Sequence, residues 1–588
     1  MDAVRQGIAG RLTQAAGRKT VGRERRFTRH FFNPAWLALA WPALLVAQDV
    51  TPDEALRRQQ EREQAIQERE LPQADVRLTV PVEELEFLPE QESPCFVIHE
   101  LALQGEGVER FGWVLDATAG EQGEDSPLGR CLGTEGINLV MKRAQNALIE
   151  RGFITSRILL EAQDLSEGTL ALSLIPGRIA AIRVADPSRS HASLRNAVPA
   201  RPGDVLNLRD IEQALENFQR LPTVEADIQI APADEPGTSD LVIDYQQDWR
   251  LRSTWSADDS GSDATGQYMG GIGVSLDNPL GLNDLFHIHL GRDLGGGAAG
   301  PRGSRSHSLH YSVPWGYWSL ALDYSDHEYY QTIAGAFQEY VYSGNSQQAG
   351  VTLSRLVYRD ATRKTTVSLG GFQRRSRNYI DDIEIEIQRR VVGGWEAGVD
   401  HREFIGRATL DLGTAYKRGT GAFGSLPAPE EAFDEGTSRF QLVSTHAGLT
   451  LPFQVGGQAL EYRGRFRMQN NLTPLTPLDR FSIGSRYTVR GFNEASLAAE
   501  RGWLVRNDLG LALGNSGQSL YAGFDYGRVS GPSREWLLGK ELAGATLGLR
   551  GSLLGHVSYD AFVSTPVIKP DGFRTDHRVA GFGLYLSF

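Results

Sequence analysis

From Trp249 to Phe588 the chain alternates in twos, apolar then polar, and shows no helical period. The clearest run sets Leu460, Tyr462, Gly464, Phe466 and Met468 against Glu461, Arg463, Arg465, Arg467 and Gln469. Successive side chains of a strand point to opposite faces, so one face here suits lipid and the other water. Leu520, Ala522, Phe524 and Tyr526 against Tyr521, Gly523, Asp525 and Gly527 repeat the pattern, as do Phe582, Leu584, Leu586 and the terminal aromatic Phe588. Short turns at Asn278–Gly281 and Pro314–Gly316 alternate with longer glycine-rich connections at 258–266 and 295–304. At about 21 residues for a strand and its connection, residues 248–588 make roughly 16 antiparallel strands. Alternation of this length implies closure, and a barrel of that size encloses a channel. A soluble array of β-sandwiches would instead carry long apolar inner runs and an outer charged face. The row of arginines at 463, 465 and 467 fits a water-filled lumen better.

A hydropathy average hides such a barrel, because its two faces cancel. The mean hydropathy of −0.32 over 588 residues therefore excludes only helical membrane spans. The longest apolar run, Trp36–Ala47, is twelve residues and contains Pro42, whereas a spanning helix needs about 20. Eight basic residues against two acidic ones precede it within the first thirty positions. A basic stretch, a short apolar core and Ala47 predict a secretory signal peptide over 1–47, although the basic region is long; a buried core helix is the alternative. Without that leader the net charge of −13 becomes −19, which argues against a nucleic-acid partner.

Thr51-Pro52-Asp53-Glu54 predicts a helix start, with Thr51 as cap, and the helix runs to about Glu70. Its body is charged or amide-bearing on every face, with Asp53/Arg57 and Glu54/Arg58 spaced as i,i+4 pairs. Such a helix cannot enter an apolar core and must lie in water or in a wet lumen. Residues 71–92 are acidic, contain proline and read as a linker. Residues 93–185 then give a helical stripe (Ile137, Val140, Met141, Ala144, Leu148) followed by strands at 154–160, 170–175 and 179–184. Residues 186–247 repeat the order, with Leu208, Ile211, Leu215 and Phe218 on a helix and strands at 224–230 and 240–245. These are two tandem α+β units. Cys95 and Cys131 lie in the first, and in an oxidising compartment they predict one disulfide worth about 3 to 4 kcal/mol, or else two separate thiols.

Motifs for catalysis are scarce. Gly295-x-Gly297-x-x-Gly300 matches a dinucleotide fingerprint only on paper, since no βαβ unit surrounds it. Asp258, Asp259 and Asp263 suit either a calcium loop or, more simply, a solvated acidic loop. The twelve histidines are scattered, so neither an enzyme activity nor a metal or cofactor is expected. The informative segment is Val489-Arg490-Gly491-Phe492, in a long connection around 470–500, together with Gly523-Phe524-Asp525-Tyr526-Gly527. Parity turns Asp525 into the lumen, where an arginine on an inward-folded loop could meet it in a bidentate pair. A chance surface arginine and an ordinary lumen aspartate are the alternative.

Val489–Phe492 and Gly523-x-Asp525-x-Gly527 resemble the paired signatures of the outer-membrane superfamily that contains barrel-assembly proteins and organelle import pores. Within it the chain is similar to the two-partner secretion transporters. Pro94-Cys95-Phe96, Gly152–Arg157, Gln163-Asp164-Leu165-Ser166, Asp210–Pro222 and Asp277–Asp284 carry that likeness, which spans 48–588. The resemblance implies a signal peptide (1–47), a plug helix (48–70), a linker (71–92), polypeptide-transport-associated (POTRA) domains at 93–185 and 186–247, and a 16-stranded barrel at 248–588. It implies a monomer in the lipid and lipopolysaccharide of a Gram-negative outer membrane, with its POTRA domains in the periplasm. It also implies a secreted β-helical exoprotein as partner, no nucleotide, and Arg157, Gln163, Asp164, Asn217 and Arg220 as client contacts. An assembly factor of the same superfamily and a passive porin are the rivals.

Overall fold

The computed structural model describes residues 52–70, 74–78, 80–81, 87–120, 123–186 and 191–588. The predicted signal peptide and the Thr51 cap lie outside them. Helix α1 (Pro52–Glu70) comes first.

Two α+β units follow, each built on the order strand, helix, helix, strand, strand, and the first adds a two-residue pairing of Phe96–Val97 with Cys131–Leu132. In the first, Glu100–Gly105 runs parallel to Thr169–Ile175, which also pairs antiparallel with Arg157–Leu159. Helix α2 (Thr134–Glu150) lays Val140, Ala144 and Leu148 on Leu170 and Leu172, all fully buried. Cys95 and Cys131 are bonded, with Cα atoms 5.2 Å apart. Asp125 is buried, which disfavours its charge. The Leu88 N–H, Arg143 and Arg130 outweigh that and hold the carboxyl below its ordinary range.

In the second unit Arg178–Val184 runs parallel to Thr238–Gln247, which pairs antiparallel with Val224–Pro232. Helix α3 (Leu208–Gln219) covers that sheet with Ile211, Leu215 and Phe218. The boundary between the units therefore falls near Gly177, not after 185. Residues 179–184 read from the sequence as a third strand of the preceding unit, and only their pairing with Leu241–Ile243 assigns them to the next. The linker also needs correcting, because two of its described stretches, 74–78 and 87–92, are docked. Val76 and Leu78 pack on the second core, and their N–H groups donate to Glu216 and Glu212. Leu88 is buried in the first core. Glu92 accepts the N–H groups of Gly133, Glu135 and Gly136, so it caps α2 from outside the helix.

Sixteen antiparallel strands form a closed barrel from Leu251–Asp258 to Val579–Ser587, with a two-residue pairing at Ile383–Glu384 beside them. The last strand closes on the first from Gly583↔Asp258 to Ser587↔Thr254. Parity sorts the two faces. Leu520 and Phe524 stand outward at 40% and 47% exposure, whereas Tyr521 and Asp525 point inward at 2% and 0%. Turns at the end facing the α+β units are short, such as 316–317 and 360–362, and the far-end connections are longer, such as 421–440 and 472–500.

Candidate functional site: the barrel lumen

The far-end connection 472–500 folds back into the lumen as a small hairpin, Phe481–Ile483 paired with Leu497–Ala499. Apolar packing holds it there. Phe481, Ile483, Val489, Phe492 and Leu497 form one buried cluster with Leu504, Val529, Leu542 and Phe573. At the tip, Arg490 Nε donates to Asp525 Oδ2 at 2.6 Å and Nη2 to Oδ1 at 2.7 Å, while the Arg490 N–H reaches Oδ2 at 3.1 Å. Asp525 is wholly buried and Arg490 is 3% exposed, where a charge-assisted fork is far stronger than in water.

Glycines make this approach possible. Gly491 has φ +99° and lies against the Thr565 backbone, a conformation few side chains tolerate. A Cβ at Gly523 would stand 2.5 Å from Arg490 Nη2, and one at Gly527 would stand 3.0 Å from a methyl carbon of Val489. Two participants escaped the sequence reading. Asp508 accepts from Arg490 Nη2 at 2.7 Å, and Gly544 passes so close that a Cβ would overlap the Arg490 carbonyl oxygen. Strand register would have revealed both, since Asp508 opposes Gly523 and Gly544 opposes Asp525.

Helix α1 occupies the same lumen. Its 19 residues, at about 1.5 Å each, span about 28 Å, close to a bilayer's hydrocarbon thickness. Arg57 Nη1 donates to Pro477 O at 2.8 Å, Arg58 to Asn493 O at 3.0 Å and Glu494 O at 3.1 Å, and Ser485 Oγ to Glu61 at 2.7 Å. Farther along, Arg62 pairs with Asp258 at 3.3 Å, and Arg69 lies 3.5 Å over the Tyr585 ring. The helix thus grips both the hairpin and the wall through polar groups. Asp258 and Asp259 are engaged by Arg62 and Arg486, so these two carboxylates are not simply solvated. Gly295 ends the strand Leu285–Gly295, and Gly297 and Gly300 lie in its connection to Gly303–Trp315.

The predicted client contacts divide. Arg157, Gln163 and Asp164 are exposed on the first unit. The Gln163 amide both donates to and accepts from the Ala171 backbone, extending the sheet edge, and Asp164 accepts the Ser166 N–H. Asn217 and Arg220 are a correction, because they bind the barrel. Asn217 Nδ2 donates to Gly316 O at 2.9 Å, and Arg220 reaches Ser312 O at 3.2 Å and its Oγ at 2.5 Å. On a bare helix pattern a docking residue and a client-facing residue look alike.

A family model described as haemolysin secretion/activation protein ShlB/FhaC/HecB matches residues 237–551. The chain belongs to this family. POTRA-domain models match 178–232 and, in a ShlB-type form, 114–177, meeting where the two sheets part. The outer membrane transporter CdiB-2 of Burkholderia pseudomallei strain 1026b is 38% identical over 559 residues, covering 90% of this chain and 94% of its own. The solved structure of CdiB from Acinetobacter baumannii is similar at a TM-score of 0.79 and 32% identity, over 91% of this chain and 98% of that one. CdiB from Escherichia coli gives 0.80 at 25%, over 92% and 99%. As a member of the haemolysin secretion/activation family this chain is a two-partner secretion transporter of the outer membrane, with its POTRA units in the periplasm. The end of the barrel that meets those units is its periplasmic end.

Proposed function

We propose that this transporter captures one large exoprotein unfolded in the periplasm, through the strand edges of its POTRA units, and threads it outward past α1 and the Arg490 hairpin. Edge pairing through main-chain hydrogen bonds takes an extended client without demanding one sequence. The edge strands are Glu100–Gly105 and Arg157–Leu159 in the first sheet and Arg178–Val184, beyond its first two residues bonded to 203–205, and Val224–Pro232 in the second. In this reading α1 is the resting plug and the Arg490–Asp525 pair holds the hairpin in its working position. The protein works as a monomer among lipid and lipopolysaccharide, and it performs no catalysis and hydrolyses no nucleotide. The observation that carries the reading is the polar filling of the lumen, since α1 meets its surroundings through side chains that water can replace. Co-expression with a large exoprotein encoded beside its gene should put that exoprotein in the medium. Its retention in the periplasm, with the transporter correctly inserted, would overturn the assignment.

A further inference from the structure

Glu70, the last residue of α1, ends against two histidines of the strand Leu285–Gly295. His287 and His289 are two positions apart and so share the lumen face, each 4% exposed. His287 Nε2 lies 2.7 Å from Glu70 Oε2, and His289 Nδ1 lies 4.0 Å from Oε1. One donor atom from each of the three residues falls within 4.8 Å of the others. The wall beside them is bare. A Cβ at Gly273 would come within 2.7 Å of Glu70 Oε2, and one at Gly271 within 2.7 Å of the His289 ring.

The hydrogen bonding of this group is incomplete. Neither ring nitrogen of His289 has a hydrogen-bond partner among the described residues, although the ring is buried, and Glu70 Oε2 touches His287 without forming a hydrogen bond. His287 Nδ1 is 2.9 Å from Ser275 Oγ. His287 Nε2 and Glu70 Oε2 thus lie in contact with no hydrogen bond between them, beside a ring with two unpartnered nitrogens. A cation held by all three side chains would satisfy these atoms together. Arg62, on the same stretch of lumen, is already paired with Asp258.

We infer that Glu70, His287 and His289 form a site for a divalent transition metal ion of the zinc type. Two imidazoles and one carboxylate are a zinc donor set, with a fourth position left for water. Ser275 supplies the outer hydrogen bond that fixes the His287 ring. Bonds near 2.0 to 2.1 Å separate tetrahedral donors by about 3.3 Å, so the 2.7 Å contact to His287 opens and the 4.0 Å gap to His289 closes, each by roughly half an ångström or a little more. The imidazoles bind in their neutral form. The ion would clamp the periplasmic end of α1 to the wall, a consequence that rests on the plug reading given above.

The test uses the full chain purified without a histidine tag, with zinc uptake measured by equilibrium dialysis. The wild type should hold about one ion per chain, and His289→Gln and Glu70→Gln should each weaken uptake at least about tenfold. Equal uptake by all three proteins, or none by the wild type, would overturn the site. Zinc should also lower the conductance of the wild type in planar bilayers, reversibly with a chelator, and leave His289→Gln unaffected. Site-specific uptake without that current change would overturn the clamp alone. Failure of the plug reading would show separately, as unchanged basal current when α1 is deleted.

Discussion

Arg490 is the residue on which the lumen hairpin turns. Its guanidinium serves two carboxylates, Asp525 through both oxygens and Asp508 through one, while Arg550 lies 3.6 Å from Asp508 and Arg506 4.0 Å from Asp525. Truncation to alanine would leave the buried Asp525 with the backbone N–H of residue 490 and that distant arginine. Breaking one side of a buried pair costs about 3 kcal/mol or more, enough to release the hairpin tip. Arg490→Ala should therefore cut export of the partner at least ~10-fold while the barrel still inserts. Arg490→Lys should fall between, because an ammonium cannot fork onto a carboxylate. Wild-type export by a stably inserted alanine variant would remove the role assigned to the pair. The motif and the parity of Asp525 were legible in the sequence. Asp508 and Gly544 were not, because their proximity follows from strand register, which a single strand's alternation does not state.

At the scale of elements, α1 is held by its surroundings and not by a core of its own. Its charged faces make it a poor partner for any apolar layer, and the lumen gives it carbonyls at Pro477, Asn493 and Glu494 and a carboxylate at Asp258. Asp258 stands in the barrel's closing ladder but meets the helix only through its carboxylate, so removing the helix leaves the wall intact. Deletion of residues 52–70 should raise single-channel conductance in planar bilayers several-fold, with the barrel's heat resistance unchanged; a current equal to that of the intact chain would count against a resting plug. The sequence pointed to a wet location for this helix through composition alone. It misled at residues 179–184, a short apolar run that fits either neighbouring sheet. The repeat itself held the correction, since each unit opens on a strand parallel to its own last one. The cap that Glu92 places on α2 was equally hidden, because it comes from a stretch whose composition resembles a linker.

Across the whole molecule, the second POTRA unit is seated on three periplasmic turns of the barrel. Asn196 and Asn283 join at the turn 278–284, Tyr317 donates to Asp210 at 2.5 Å at the second turn, and Arg359 meets α3 at the third. Arg359 carries the largest share. Its Nε lies 2.9 Å from Glu212 and its Nη1 3.0 Å from Glu216, and Nη2 reaches the Val76 carbonyl at 2.5 Å. One side chain, 3% exposed, thus ties the barrel, α3 and the stretch leading from α1. Glu212 keeps Arg209 at 2.5 Å if Arg359 is lost, so the unit should stay folded but loosen on its seat. Arg359→Ala should weaken docking by about 3 kcal/mol, read as faster amide hydrogen exchange in 74–78 and 208–221 with exchange in the first unit unchanged. Arg359→Lys should restore part of that protection, because one ammonium cannot reach both carboxylates and the carbonyl together. If exchange in α3 stays at the wild-type rate in Arg359→Ala, the three turns do not depend on this residue, and docking must rest on Tyr317, Asn217 and Arg220. If it rises and export falls with it, client delivery requires a POTRA unit held at a fixed place beneath the pore.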